Sequence, residues 1–142
     1  MKIEDFHFFT EFPVRFSDVD SLGHVNNAVY LSYFEEARVH YFNNLINLKF
    51  DNKPSLSIIV LEIKCAYRSP AYFGDTLRAY CRVSWMRTKS AEMQYLIMDI
   101  KTGRKVADGS SILVAYDYQA GQSIAIPDDI RKAIADYDVI TI

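Results

Sequence analysis

Little in this sequence lends itself to cross-linking. Its 142 residues hold only two cysteines, Cys65 and Cys81. They are far apart, form no Cys-x-x-Cys pair and fall inside apolar alternating stretches. They read as buried thiols of a reducing compartment, neither a disulfide nor a thiol nucleophile. Four prolines and five glycines leave no low-complexity or linker stretch. One domain over residues 1–142 is therefore expected, of a size that buries roughly two thirds of its unfolded surface without metal or disulfide. A surplus of either charge is missing too, since the formal net charge is −2. That argues against nucleic acid or an anionic membrane as partner. No apolar run approaches the ~20 residues that cross a bilayer. The opening MKIEDFHFFTEF sets acidic residues where a secretion signal needs an apolar stretch. A cytoplasmic location is the expectation.

What is present is hydrophobic patterning. Phe12, Val14 and Phe16 alternate with Glu11, Pro13 and Arg15, a short strand in which Pro13 marks an edge or a strand start. From Ala28 to about Leu45 the period changes. Leu31, Phe34, Ala37, Tyr41 and Leu45 recur at helical spacing, and Val29, Tyr30, Tyr33 and Phe42 widen the stripe. Glu35, Glu36, Arg38 and His40 form the polar face, with Glu35 and Arg38 spaced as an ion pair. A break at Asp51–Pro54 follows. Alternation then predicts strands over Ile59–Tyr67, Leu77–Trp85, Met93–Ile100 and Val106–Tyr116, with a hairpin turn at Lys101–Arg104. Pro127-Asp128-Asp129 opens a terminal helix. Short connections make neighbouring strands antiparallel. The order predicts an α+β protein, an antiparallel sheet wrapped around one long central helix. The sheet's second face is still partly apolar, which points to a partner subunit.

The run SDVDSLGHVNNAVY, residues 17–30, gathers two aspartates, a glycine, a histidine and two asparagines just before that helix. It lacks the ligands of a calcium loop. Counting from Asp18, position 5 is Leu22, and Val29 stands where a bidentate glutamate belongs. A structural reading has Asn26 or Asn27 capping the helix and Gly23 supplying a turn. A chemical reading uses the unpaired N–H groups of the helix start to hold an oxyanion, with a carboxylate beside them as base or nucleophile. No Gly-x-Ser-x-Gly elbow offers another route to acyl transfer. On the residues alone both readings stand.

The stretch FSDVDSLGHVNNAVYLSYFEEAR resembles the signature of the hotdog-fold acyl-CoA thioesterases, in the 4-hydroxybenzoyl-CoA thioesterase-like superfamily. It is similar in particular to the branch with Asp-x-Asp-x-x-Gly-His-Val-Asn-Asn. YRSPAYFGDTL, VADGSSILVAYD and IPDDIRKAI are similar to later segments of the family, in the same order. The resemblance spans about residues 11–135. It implies a hotdog fold and hydrolysis of an acyl-CoA to free acid and CoA, without metal or other cofactor. The family's catalytic carboxylate falls on Asp20 and its helix-start amide at Asn27. An aromatic near the acyl pocket falls on Tyr30. His24 is a further candidate for catalysis and Asn26 for substrate contact, while Asp18 is expected to order the loop. Arg82, Arg87, Lys89 and Arg104 are cations that a CoA phosphate can meet, or plain surface charges. A homodimer or homotetramer with its site at the interface is implied. The alternatives are an acyl-carrier-protein thioesterase and a non-catalytic acyl-CoA binding module.

Overall fold

The computed structural model describes residues 1–46 and 56–141; the expected break at Asp51–Pro54 lies outside them. Strand β1 covers Phe8–Pro13 and helix α1 Val29–Ile46. Strands β2 (Ser57–Tyr67), β3 (Thr76–Met86), β4 (Ser90–Asp99) and β5 (Lys105–Asp117) follow. Then come the two-residue strand β6 (Gln122–Ser123) and helix α2 (Asp128–Asp138). The sheet runs β1-β3-β4-β5-β2, with β6 on β5, and every pairing is antiparallel. This is the hotdog arrangement expected, a curled sheet around one long helix.

Helix α1 lies over β1 and β3. Its covered face is Tyr30, Tyr33, Phe34, Ala37, Tyr41 and Phe42. Phe34 stacks on Tyr95 of β4, centroids 4.5 Å apart and nearly parallel. That approach requires Gly109 on β5, because a Cβ there would stand 2.7 Å from the Phe34 ring and 2.1 Å from the Lys64 carbonyl oxygen. The Cys81 thiol donates to the Ala37 carbonyl on α1 and both cysteines are free thiols. Arg38 turns into the interior and donates to the Tyr95 hydroxyl at 2.9 Å, while exposed Glu35 is 3.8 Å away.

Two expectations need correction. The first strand stops at Pro13, and Phe16 enters a 3-10 turn, Phe16–Asp18, with its ring 79% exposed. The cause is local: the Arg15 N–H turns onto the Asp18 carboxylate at 3.0 Å and leaves the strand path. Leu31, counted in the apolar stripe, is exposed, and the covered face of α1 passes instead through Tyr30, Tyr33, Phe34 and Ala37. On the sheet's second face, Phe6 from the N-terminal segment covers Tyr80 and Leu96. Phe9 beside Tyr80 stays 45% exposed on that face, and exposed apolar side chains also stand along edge strand β2, at Val60 and Leu61.

The end of α2 is fastened by Asp138. This buried carboxylate accepts the Tyr41 hydroxyl and the Val83 N–H, while its Oδ1 has no partner among the described residues. Burial pushes its pKa above the ordinary carboxylate value of 3.8, outweighing those two bonds. An acid whose folded pKa is raised holds its proton more tightly when folded. It contributes stability below 3.8 that is lost as pH rises through the folded value. Asp138→Asn removes the titration. In thermal melts from about pH 4 to about pH 8, the difference between variant and wild type is expected to move in the variant's favour as pH rises. A pH-independent difference would contradict this.

Candidate active site

Asp18 organises the approach to α1. Its side chain is buried and accepts the Arg15 N–H at 3.0 Å, the Arg15 Nη2 at 3.1 Å and the Tyr33 hydroxyl at 2.9 Å. Burial opposes its charge, but the Arg15 N–H, the Tyr33 hydroxyl and the Arg15 guanidinium together outweigh it. The carboxyl is held below its ordinary range. The Asp18 carbonyl accepts the Asn26 N–H at 2.9 Å, so residues 18 to 26 form a closed loop. Val19 and Val25 bridge across it. The Asp20 N–H donates to the His24 carbonyl at 3.1 Å and the Gly23 N–H to the Asp20 carbonyl at 3.0 Å. Gly23 has φ +86°, a conformation that glycine adopts without steric cost. The Val25 N–H donates to the Ala71 carbonyl at 2.8 Å, tying the loop to the β2–β3 connection.

The loop leaves two reactive features open. One oxygen of Asp20 accepts the Leu22 N–H at 2.9 Å; the other has no partner among the described residues. The Asn26 side chain accepts the Ala28 N–H at 2.9 Å and the Asn26 carbonyl accepts the Val29 N–H at 3.0 Å. Asn26 is thus the residue that caps the helix start. The Asn27 N–H meets no acceptor among the described residues. Such an unpaired donor at the positive end of a helix is a ready oxyanion contact.

A cavity of about 470 Å³ is lined by Asp20, His24, Asn27 and Tyr30 on one side and by Tyr67, Arg68, Ser69 and Pro70 on the other. Four of the five residues singled out from the sequence therefore share one cavity. Asn26 stands behind it as a cap and is not part of the lining. The His24 Nδ1 is 3.3 Å from the Val25 carbonyl, so a protonated Nδ1 is satisfied locally. The Tyr30 ring is buried, and that burial raises its pKa.

The far wall was not singled out from the sequence, although YRSPAYFGDTL contains it. Among the described residues Arg68 is the only arginine or lysine in the lining, and it pairs with Asp108, Nε to Oδ2 at 2.9 Å. None of Arg82, Arg87, Lys89 and Arg104 lines the cavity. Arg82 bonds Gln94, Arg87 lies over the Trp85 ring, and Arg104 donates to the Pro70 carbonyl beside Asp99. Among the described residues no three His, Cys, Asp or Glu side chains gather as metal ligands, and no helix is long and apolar enough to cross a membrane.

Comparison with known proteins agrees with this fold. Residues 14–134 match the family model of the Thioesterase-like superfamily. A thioesterase of Thermus thermophilus, solved with coenzyme A and zinc, is 31% identical with a TM-score of 0.84. The match covers 98% of this chain and all of that one. The long-chain acyl-CoA thioesterase FadM of Escherichia coli (strain K12) is 28% identical over 125 residues, 88% of this chain and 95% of that protein. A chloroplastic acyl-acyl carrier protein thioesterase of Arabidopsis thaliana is 26% identical over 124 residues, 86% of this chain and 64% of that protein.

The Asp18 cluster has a pH signature opposite to that of Asp138. A depressed carboxylate contributes stability that is fully present above the unfolded value of 3.8 and is lost as pH falls through the lower folded value. Asp18→Asn is expected to cost about 2 kcal/mol at neutral pH. Urea unfolding at a series of pH values should show that deficit shrinking below pH 3.8. A deficit that grows in acid would overturn this account.

Proposed function

The chain belongs to the Thioesterase-like superfamily, and on that footing we propose that it hydrolyses acyl-CoA thioesters to the free acid and CoA. The observation that carries this reading is the pairing of a half-free Asp20 carboxylate with the unpaired Asn27 N–H on one cavity wall. The thioester carbonyl oxygen sits on the Asn27 N–H, which takes up the negative charge that develops when the carbonyl carbon is attacked. Asp20 draws a proton from the attacking water, or attacks the carbonyl itself and is released by water in a second step. In either route the C–S bond breaks, CoA leaves as thiolate and takes up a proton, and water supplies the acid's second oxygen. His24 faces the same space and orients water or the leaving thiolate. Tyr30 flanks the acyl group. Coenzyme A as the carrier is supported by the complex of the Thermus thermophilus relative and by the name of the Escherichia coli one. The chain works as one domain, in the cytoplasm, where its two thiols stay reduced.

Thiol release from aromatic, short-, medium- and long-chain acyl-CoAs tests this. Asp20→Asn keeps the side chain's size and removes the base. It is expected to lower turnover by about a hundredfold or more with melting temperature and oligomeric state unchanged. Equal turnover in both proteins would remove Asp20 from the chemistry. Activity confined to acyl groups on a carrier protein would replace coenzyme A as the carrier.

A homodimer or homotetramer is part of the same reading. Strand β2 is an eleven-residue sheet edge whose outer side has no partner strand among the described residues. Leu61 is 70% exposed on it, at a bulge between Val60 and Glu62. An open edge of this length can pair with a second copy, and Tyr67 of the cavity wall ends it. Sedimentation should find the wild type dimeric or larger. Leu61→Lys should dissociate it and depress thiol release together. Full activity in a wild-type monomer would refute the assembly.

A further inference from the structure

We propose that Tyr67 is a positioning residue for the oxyanion-binding amide: its hydroxyl, reaching across from the end of β2, fixes the backbone at Asn27. The inference rests on the thioester-hydrolase reading above and adds a residue to it.

The backbone around Asn27 consists of two peptide units, and the contacts of each can be followed. The unit between Asn26 and Asn27 has its carbonyl on the Val29 N–H at 3.0 Å, and its N–H is the free donor. The unit between Asn27 and Ala28 is held at both ends. Its N–H donates to the Asn26 side chain at 2.9 Å, and its carbonyl accepts the Tyr67 hydroxyl at 2.8 Å. Three of the four polar ends are thus held, and two of those contacts come from within residues 26–29. Tyr67 alone reaches in from a distant element, forty residues away in sequence. Rotation about either backbone bond of Asn27 swings the free N–H, so the Tyr67 bond fixes the direction in which that donor points.

Tyr67 is also unusual for an edge residue. It is 51% exposed, yet it spends its hydroxyl on a backbone carbonyl and sets its ring edge-on against Tyr30, centroids 5.2 Å apart. The phenol is therefore directed by its neighbours rather than left to water. Pairing of Tyr67 with Ala107 of β5 places the Cα from which the ring reaches Asn27.

Tyr67→Phe keeps the ring and its packing on Tyr30 and removes only the hydroxyl. Misdirecting an oxyanion donor costs roughly tenfold to a hundredfold in turnover. The expected result is a kcat lowered by that factor with KM, the pH–rate profile and the melting temperature near wild type. Amide hydrogen exchange across residues 26–31, read by mass spectrometry, should be faster in the variant. Exchange across β5 should be unchanged. Wild-type kcat in Tyr67→Phe, alongside a dead Asp20→Asn, overturns the positioning role and leaves the hydrolase reading intact. A lowered kcat without faster exchange also overturns it, because Tyr67 would then act on substrate directly. No thiol release from wild type with any acyl-CoA or acylated carrier protein sinks the hydrolase reading itself, and this proposal with it.

Discussion

Asp18 keeps a charge where water hardly reaches, and most of the site's geometry depends on that. Its side chain stops β1 by capturing the Arg15 N–H, and joins α1 through Tyr33. Its carbonyl closes the loop on Asn26. The loop between carries Asp20, Gly23 and His24, each held by the others' backbone rather than by the sheet. The carboxylate proposed for chemistry is thus distinct from the one that serves structure, although they stand two residues apart. The structural one has its oxygens committed. The one proposed for chemistry keeps an oxygen free among the described residues.

Helix α1 lies where it does because the interior permits a close approach. Phe34 can lie flat on Tyr95 only because β5 carries a glycine beneath it. That contact, with the packing of Tyr33 against Phe12 at 4.6 Å, fixes the helix along its axis and in rotation. The N-terminus, with its unpaired amide, is therefore aimed by aromatic packing several residues further along. Burial of flat rings in preferred offset geometries supplies that rigidity at little entropic cost.

Local features were legible in the sequence and distant ones were not. The helix declared itself by period, and the four long strands by alternation, because burial on one face imposes those repeats. Asp20, His24, Asn27 and Tyr30 were legible because a single short loop carries the first three into the helix that bears the fourth. Their chemical meaning came from resemblance, since loop residues of this kind also cap helices without doing chemistry. Tyr67, Arg68, Ser69 and Pro70 escaped notice because strand register brings them to the cavity, and register is not written in alternation alone. Phe16 misled for the opposite reason. Its place in the alternation was correct, but the Asp18 carboxylate overrides the strand before its ring would have turned inward. The cover of the second sheet face by Phe6 was equally hidden, because a lone aromatic before a strand carries no periodic signal.

The closed loop has a consequence for how such a protein changes over time. Carboxylate and amide donor lie seven residues apart and are held by bonds that begin and end within the same short segment and the helix it enters. The opposite wall comes from the exit of a strand elsewhere in the chain. Substitutions at Arg68, Ser69 or Pro70 can reshape what fits the cavity while the loop keeps its own conformation. On the proposed mechanism, reactivity and selectivity rest on separate pieces of sequence, so one can drift while the other stays. Tyr67 is the exception, since it belongs to the selective wall and grips the reactive one.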